Sequence, residues 1–181
     1  DQDTNGVYEL YSVPIHGGIP TRIHAPLHLF GTEGVQDLRI SPDGSMVFFT
    51  ADFDPSAETY ALYRVPITGG VTSQVAGPLS VGREFEDFMI SPDGSVVVYL
   101  ADEDIENYPE LYRVSIGEGV STKISGVFAP IGSGVEDFRI SPDGSTVVYR
   151  KNGFFTTALY SVPITGGIAV LRQQPLPHQR R

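Results

Sequence analysis

A calcium ion takes six to eight hard oxygen ligands at once, and alternate residues of a tight loop can turn several oxygens inward. The first nine residues read Asp1-Gln2-Asp3-Thr4-Asn5-Gly6-Val7-Tyr8-Glu9. Oxygen-bearing side chains stand at positions 1, 3, 5 and 9, with glycine at 6, as at the start of a calcium loop. The spacing returns as Asp102, Asp104, Glu106 and Glu110, with Asn107 at the glycine position, where asparagine tolerates a positive φ. A further stretch, Asp52, Asp54, Ser56 and Glu58, has one extra residue before its following Leu-Tyr and loses the ninth-position acid, so Asp52 and Asp54 are weaker candidates. The last counterpart, Lys151-Asn152-Gly153, has no acid at all. Eleven of the 22 acidic residues lie in the first three stretches. Position 12 holds Ser12 where a helix–loop–helix calcium site has a bidentate acid, so that motif is not met. Two expectations follow for these residues: calcium ligation at Asp1, Asp3, Asn5 and Glu9 and at Asp102, Asp104, Glu106 and Glu110, or solvated acidic hairpin tips.

Other chemistry finds less support. With no cysteine there is no disulfide, thiolate metal site or cysteine nucleophile. A net charge of −10 repels phosphate backbones and argues against nucleic-acid binding. No apolar run nears the length of a membrane span, and Asp1 to Asn5 lack the character of a secretory signal. Of the four histidines, His24 and His28 are four apart, but Pro26 between them rules out a helical metal pair; His16 and His178 stand apart. Neither a Gly-x-Ser-x-Gly elbow nor a phosphate loop is present. Asp37, Asp87 and Asp137 share one repeat position, which points to hydrogen bonding with backbone between structural units more than to catalysis. Arg39, Met89 and Arg139 share another, where two arginines could meet an anion or simply form a solvated wall. The reading is of a chain that is not an enzyme.

The elements that carry these residues are set by a repeat. Ser-Pro-Asp-Gly-Ser occurs at 41–45, 91–95 and 141–145, every 50 residues. Between the copies run Leu10-Tyr11-Ser12-Val13-Pro14-Ile15, Leu62-Tyr63-Arg64-Val65-Pro66-Ile67, Leu111-Tyr112-Arg113-Val114-Ser115-Ile116 and Leu159-Tyr160-Ser161-Val162-Pro163-Ile164. Each unit reads as four strands, A to D. Strand A, such as Val135 to Ile140, leads into the Ser-Pro-Asp-Gly hairpin turn. Strand B is apolar almost without interruption, as in Val96-Val97-Val98-Tyr99-Leu100, which implies burial on both faces. The Leu-Tyr strand C follows, then a glycine turn and a polar strand D suited to an exposed edge. The candidate calcium ligands fall in the B–C loops. A period near 50 and four strands per unit predict an all-β fold of β-propeller blades, about three and a half of them.

Ser-Pro-Asp-Gly-Ser before an apolar strand, with Leu-Tyr-x-Val-Pro-Ile-x-Gly-Gly after it, resembles the TolB-like propeller repeats, relatives of the WD-repeats. Where that family commonly has tryptophan before Ser-Pro-Asp-Gly, this chain has Ile40, Ile90 and Ile140. The resemblance implies a binding platform in the periplasm or outside the cell, and in some relatives a propeller appended to a serine peptidase. The expected organisation is a half blade of strands C and D over 1–34, blades over 35–84, 85–134 and 135–174, and a tail over 175–181. The function expected is a noncatalytic binding or scaffolding module. Alternatives are an accessory propeller of a larger enzyme or a subunit assembling end to end. Three and a half blades do not close a normal ring, so the expected partners are another protein or further copies of the chain, meeting at open blade faces.

Overall fold

The chain reverses at each Ser-Pro-Asp-Gly-Ser in the same way. Gly44, Gly94 and Gly144 donate their N–H to the carbonyls of Ser41, Ser91 and Ser141, each at 2.8 Å. Their φ values of +74°, +72° and +72° explain the glycine, because an L side chain there costs ~1–2 kcal/mol. The aspartate locks the rest of the turn. Asp93 Oδ1 accepts the Ser91 hydroxyl at 2.5 Å and the Ser95 N–H at 3.1 Å, while Oδ2 accepts the Ser95 hydroxyl at 2.7 Å. Asp43 and Asp143 do the same. Hydrogen bonds from the leading serine hydroxyl, and then from the serine after the glycine, hold all three exposed carboxyls at about 2, below the ordinary 3.8.

The structure, a computed structural model, describes residues 8–24, 34–53, 59–126, 133–153 and 156–173. Among them are fourteen strands and no helix. Strands β1 (Tyr11–Ser12) and β2 (Thr21–Arg22) pair with each other. Three four-stranded antiparallel meanders follow. The first is β3 (Val35–Ile40), β4 (Met46–Ala51), β5 (Ala61–Pro66) and β6 (Ser73–Ala76). The second is β7 (Phe85–Ile90), β8 (Val96–Ala101), β9 (Glu110–Ser115) and β10 (Ser121–Lys123). The third is β11 (Val135–Ile140), β12 (Thr146–Gly153), β13 (Thr156–Pro163) and β14 (Val170–Gln173). This is the expected all-β architecture of propeller blades, each in A–B–C–D order, with β1 and β2 standing as a C–D pair.

The chain divides into two compact units, Asp1–Arg83 and Glu84–Arg181. In the first, Leu10 and Ile23, which flank the β1–β2 pair, bury against Val35, Val47, Phe49, Ala51 and Val65 of the following blade. In the second, Val98, Leu100, Leu111 and Ile124 of one blade pack on Val135, Phe138, Val147, Tyr149 and Val162 of the next. Directly paired B and C residues also stack their rings. Tyr99 and Tyr112 lie 5.4 Å apart at 17°, and Tyr149 and Tyr160 lie 5.5 Å apart at 16°; such pairs add about 1 kcal/mol beyond their buried area.

Burial of strand B on both faces holds for β4 and β8, where Val47 to Ala51 and Val97 to Ala101 are all buried. Strand β12 departs from it. Arg150 stands where Leu100 and Thr50 stand in the other blades, and it is exposed. Its guanidinium pairs with both carboxylate oxygens of Asp137 at 2.7 Å. On the same blade Arg172 occupies the place of the buried Val75 and Ile124 and donates to Ser161 Oγ at 2.6 Å. At these two positions β11–β14 carries exposed cations where the β7–β10 blade carries buried Leu100 and Ile124.

The strand A aspartates sit beside irregularities in the ladder. Each A–B ladder shifts register beside them, between Val35 and Leu38, Phe85 and Asp87, and Val135 and Asp137. At this bulge Asp37 and Asp87 accept the N–H of their own next residue, Leu38 and Phe88, both at 2.8 Å. These two bonds lie within a blade. A carboxylate at a bulge reaches the locally displaced N–H more readily than a neighbouring sheet about 10 Å away.

Two outcomes are expected of the turns. No atom lies within 4 Å of a Cβ placed on Gly94, so Gly94→Val suffers backbone strain alone, about 2 kcal/mol in urea unfolding. Asp93→Asn, which keeps an acceptor, loses distinctly less; equal losses contradict the turn assignment. The second concerns acid. Because the folded pKa of Asp43, Asp93 and Asp143 is lowered, their stabilisation is complete above pH 4 and is lost as pH falls toward 2. Urea midpoints at pH 4 and pH 2.5 should converge in the triple Asp→Asn variant relative to the unsubstituted chain.

Candidate functional site

The B–C loop after β8 leaves the sheet at Asp102, and this side chain is the pin that holds the loop. Asp102 is 8% exposed, accepting the Glu84 N–H on Oδ1 at 2.9 Å and the Asn107 N–H on Oδ2 at 3.0 Å. Asn107 has φ of 62°, which an asparagine adopts at small cost. Asn152 takes the same place in the last blade and accepts the Gly134 N–H on Oδ1 at 2.8 Å. An amide serves as well as a carboxylate here, so the position needs an acceptor and not a charge.

Further along the loop the acids converge on a cation that the chain itself supplies. Lys123, on β10, donates to Asp104 Oδ2 at 2.7 Å and to both oxygens of Glu110 at 3.1 Å. Glu110 is 2% exposed and also accepts the Tyr112 hydroxyl at 3.2 Å. Burial alone depresses a lysine, but the hydrogen bonds that Lys123 donates to Asp104 and Glu110 outweigh it and raise its pKa. The Lys123 bond holds Asp104 below the usual carboxylate range. Burial first, and the Glu110 charge second, push the Tyr112 hydroxyl up. Nearby, burial also raises Glu103, whose Oε2 accepts the Tyr99 hydroxyl at 3.0 Å.

The candidate calcium ligands are thus distributed over different tasks. Asp104 and Glu110 meet at Lys123, Asp102 is turned to the backbone, and Glu106 is exposed. Among the described residues no three His, Asp or Glu side chains are grouped to hold a metal ion. In the first copy Asp1, Asp3 and Asn5 lie outside the described residues. Glu9 is described, with a side chain 4% exposed, and accepts Arg22 Nη1 at 3.2 Å and the Tyr11 hydroxyl at 3.1 Å. Asp52 is half-buried, and Asp54 lies outside the described residues.

A pattern missed in the sequence emerges from the register. The residue before Leu-Tyr and the residue paired with that tyrosine on strand D change together. Glu9 goes with Arg22 and Glu110 with Lys123, whereas Ala61 goes with Gln74 and Ala158 with Leu171. Each buried acid brings a cation thirteen residues away, and each alanine brings a neutral partner. The signal was present in the aligned copies, but it needs the C–D register to be read.

The remaining candidates are occupied locally. Arg39 Nη1 donates to Asp37 Oδ1 at 2.6 Å and to the Leu38 carbonyl, and Arg139 Nη1 to the Phe138 carbonyl at 2.6 Å. His24 is 5% exposed with its ring 6.4 Å from Phe49, and His16 is exposed; His28 and His178 lie outside the described residues.

Removing the ammonium tests this arrangement. Lys123→Gln leaves Glu110 buried without its cation and should cost about 2 kcal/mol, less than a fully buried pair because Lys123 is 29% exposed. Calcium at this loop has to compete with Lys123, so millimolar calcium should raise the melting temperature of Lys123→Gln more than that of the unsubstituted chain. Equal shifts count against any cation preference of the loop.

Neither a known sequence family nor a curated protein matches the chain in sequence. Solved structures do match it in fold. TolB from Acinetobacter baumannii superposes with a TM-score of 0.54 at 19% identity, over 76% of this chain and 32% of its own length. A prolyl endopeptidase gives 0.65 at 16% identity, over 93% of this chain and 26% of its own. The β-propeller domain of the Trilobed protease from Pyrococcus furiosus, which has an open velcro topology, gives 0.53 at 12% identity, over 77% and 42%. The chain spans less than half the length of each. By fold, it is a series of β-propeller blades, similar in structure to those of TolB and of the Trilobed protease.

Proposed function

We propose that the chain is a noncatalytic binding or scaffolding module. The observation that carries this reading is the local commitment of its recurring polar side chains. The turn aspartates bind their own serines, Asp102 and Asn152 pin their own loops, and Glu9 and Glu110 face Arg22 and Lys123. A catalytic site needs a nucleophile and a base in reach of each other with unspent hydrogen-bonding capacity. From the repeat resemblance we infer a periplasmic or extracellular setting. No helix among the described residues is long and apolar enough to cross a membrane.

A second reading is a propeller that serves a larger enzyme such as a peptidase. It is favoured by the prolyl endopeptidase match, which covers nearly all of this chain and about a quarter of the endopeptidase. Fold likeness does not transfer activity, so the two readings are separated by assay. The purified chain is expected to turn over no ester, peptide or glycoside substrate in a manner that one Ser or His substitution abolishes. Turnover lost on a single such substitution refutes the noncatalytic reading, while activity restored to a peptidase domain by adding this chain supports the second.

A further inference from the structure

One blade-to-blade interface lies inside each compact unit, and the two are not equally complete. In the Glu84–Arg181 unit the face of β11–β14 that holds Phe138 and Tyr149 is covered by both halves of the preceding blade. Leu111 and Ile124 come from its C–D half. Val98 and Leu100, with Met89 and Val96 packed beside them, come from its A–B half. Under this cover Phe138, on strand A, is 1% exposed.

In the Asp1–Arg83 unit, only the C–D half of that cover is found among the described residues. Leu10 takes the place of Leu111 and Ile23 that of Ile124, and they bury Val47, Phe49 and Val65. Leu38 and Ile40 pair with Phe49 and Val47 across the β3–β4 ladder and so share their face. Yet Leu38, the counterpart of Phe138, is 45% exposed, and Ile40 is 54% exposed. The backbone shows the same gap. Among the described strands β1 pairs with β2 alone, whereas the other C strands, β5, β9 and β13, each pair on both sides. An open strand edge and an uncovered apolar strip therefore occur together in one unit, linked through Phe49, which clusters with Leu10 and pairs with Leu38.

We propose that this unit binds a β-hairpin of the strand A–B kind, whose second strand extends the sheet at β1 and whose apolar face covers Leu38 and Ile40. The complete interface selects the occupant: it has aliphatic or thioether side chains at the positions of Met89, Val96, Val98 and Leu100. Main-chain pairing supplies affinity and the alternate side chains supply specificity, as in other strand additions. The chain also contains a hairpin of the wrong kind. Its last A–B pair has Arg139, Thr146 and Arg150 at three of those four positions, with Val148 at the other, and an arginine pressed onto Leu38 would bury its charge without a partner. The proposal deepens the binding-module reading on which it rests. That reading is decided by turnover and this one by hairpin binding, so each can fail without the other.

The test titrates the whole chain with two synthetic peptides, residues 85–101 and residues 135–151, followed by fluorescence anisotropy. The 85–101 hairpin is expected to bind more tightly by about tenfold or more, and Leu38→Asp with Ile40→Asp to weaken it by about as much. Both side chains are exposed, so the double variant keeps the fold. Equal binding of the two peptides, or binding indifferent to the double variant, overturns the proposal. If the free 85–101 peptide does not bind, an extended chain decides. In it the 85–101 sequence is repeated directly ahead of Asp1, the register set by the correspondence of Asp1 with Asp102, and tethering brings the hairpin to an effective concentration of about millimolar. Its urea midpoint is expected to exceed that of the same extension made with 135–151, and Leu38→Asp with Ile40→Asp to abolish the difference. Equal midpoints, or a difference that survives the double variant, overturn the proposal.

Discussion

A four-stranded blade has two apolar faces and can bury neither by itself. Strand B makes this plain: β4 and β8 are buried from their second residue to their last, which one sheet with solvent on either side cannot provide. The requirement for a neighbour governs the rest of the structure. It fixes where Leu10 and Ile23 go in the first unit and where Val98, Leu100 and Ile124 go in the second. It also explains why stability in such an array is a sum of blade and interface contributions. Where strand B carries Arg150 in place of Leu100, the guanidinium is exposed and is met by Asp137 of the adjacent strand A.

Once the sheets are stacked, the ends of the strands must satisfy their own polar groups, and they do so with the nearest side chain. Asp93 bonds to residues two positions away on either side, Asp87 to the next residue, and Asp102 to the N–H groups that its loop brings alongside. Short-range bonds of this kind cost little chain entropy and can be copied with the blade, which is why they recur. The Glu110–Lys123 pair is different in kind. It buries a carboxylate, and a buried charge is tolerable only with a partner of opposite sign close by.

The fold was legible because its signals are local. A proline, an aspartate and a glycine in fixed order specify a turn whatever surrounds them, and an unbroken apolar run of five specifies a doubly buried strand. The roles of the acidic residues were less legible, for a reason of register. Asp102, Asp104 and Glu110 alternate along the sequence as calcium ligands do, yet Asp104 and Glu110 face Lys123, thirteen or more residues on. Spacing within a loop does not reveal a cation arriving from the next strand. A related point holds on strand A, where at a register shift Asp37 and Asp87 accept the N–H of their own next residue, which the sequence alone does not show.

The alternation of Glu9 and Glu110 with Ala61 and Ala158 shows how copies of one blade can diverge without harm. A buried glutamate introduced alone would leave a charge without a counterion, and a lone Lys123 would find an alanine opposite. Each substitution is unfavourable until the other is present, so the two positions change as a pair or not at all. Nothing comparable constrains Ile19, Val71, Val120 and Ile168, which touch no core and could each be polar at no cost to folding. The character of Glu110, by contrast, is set within the blade by Lys123 and Tyr112.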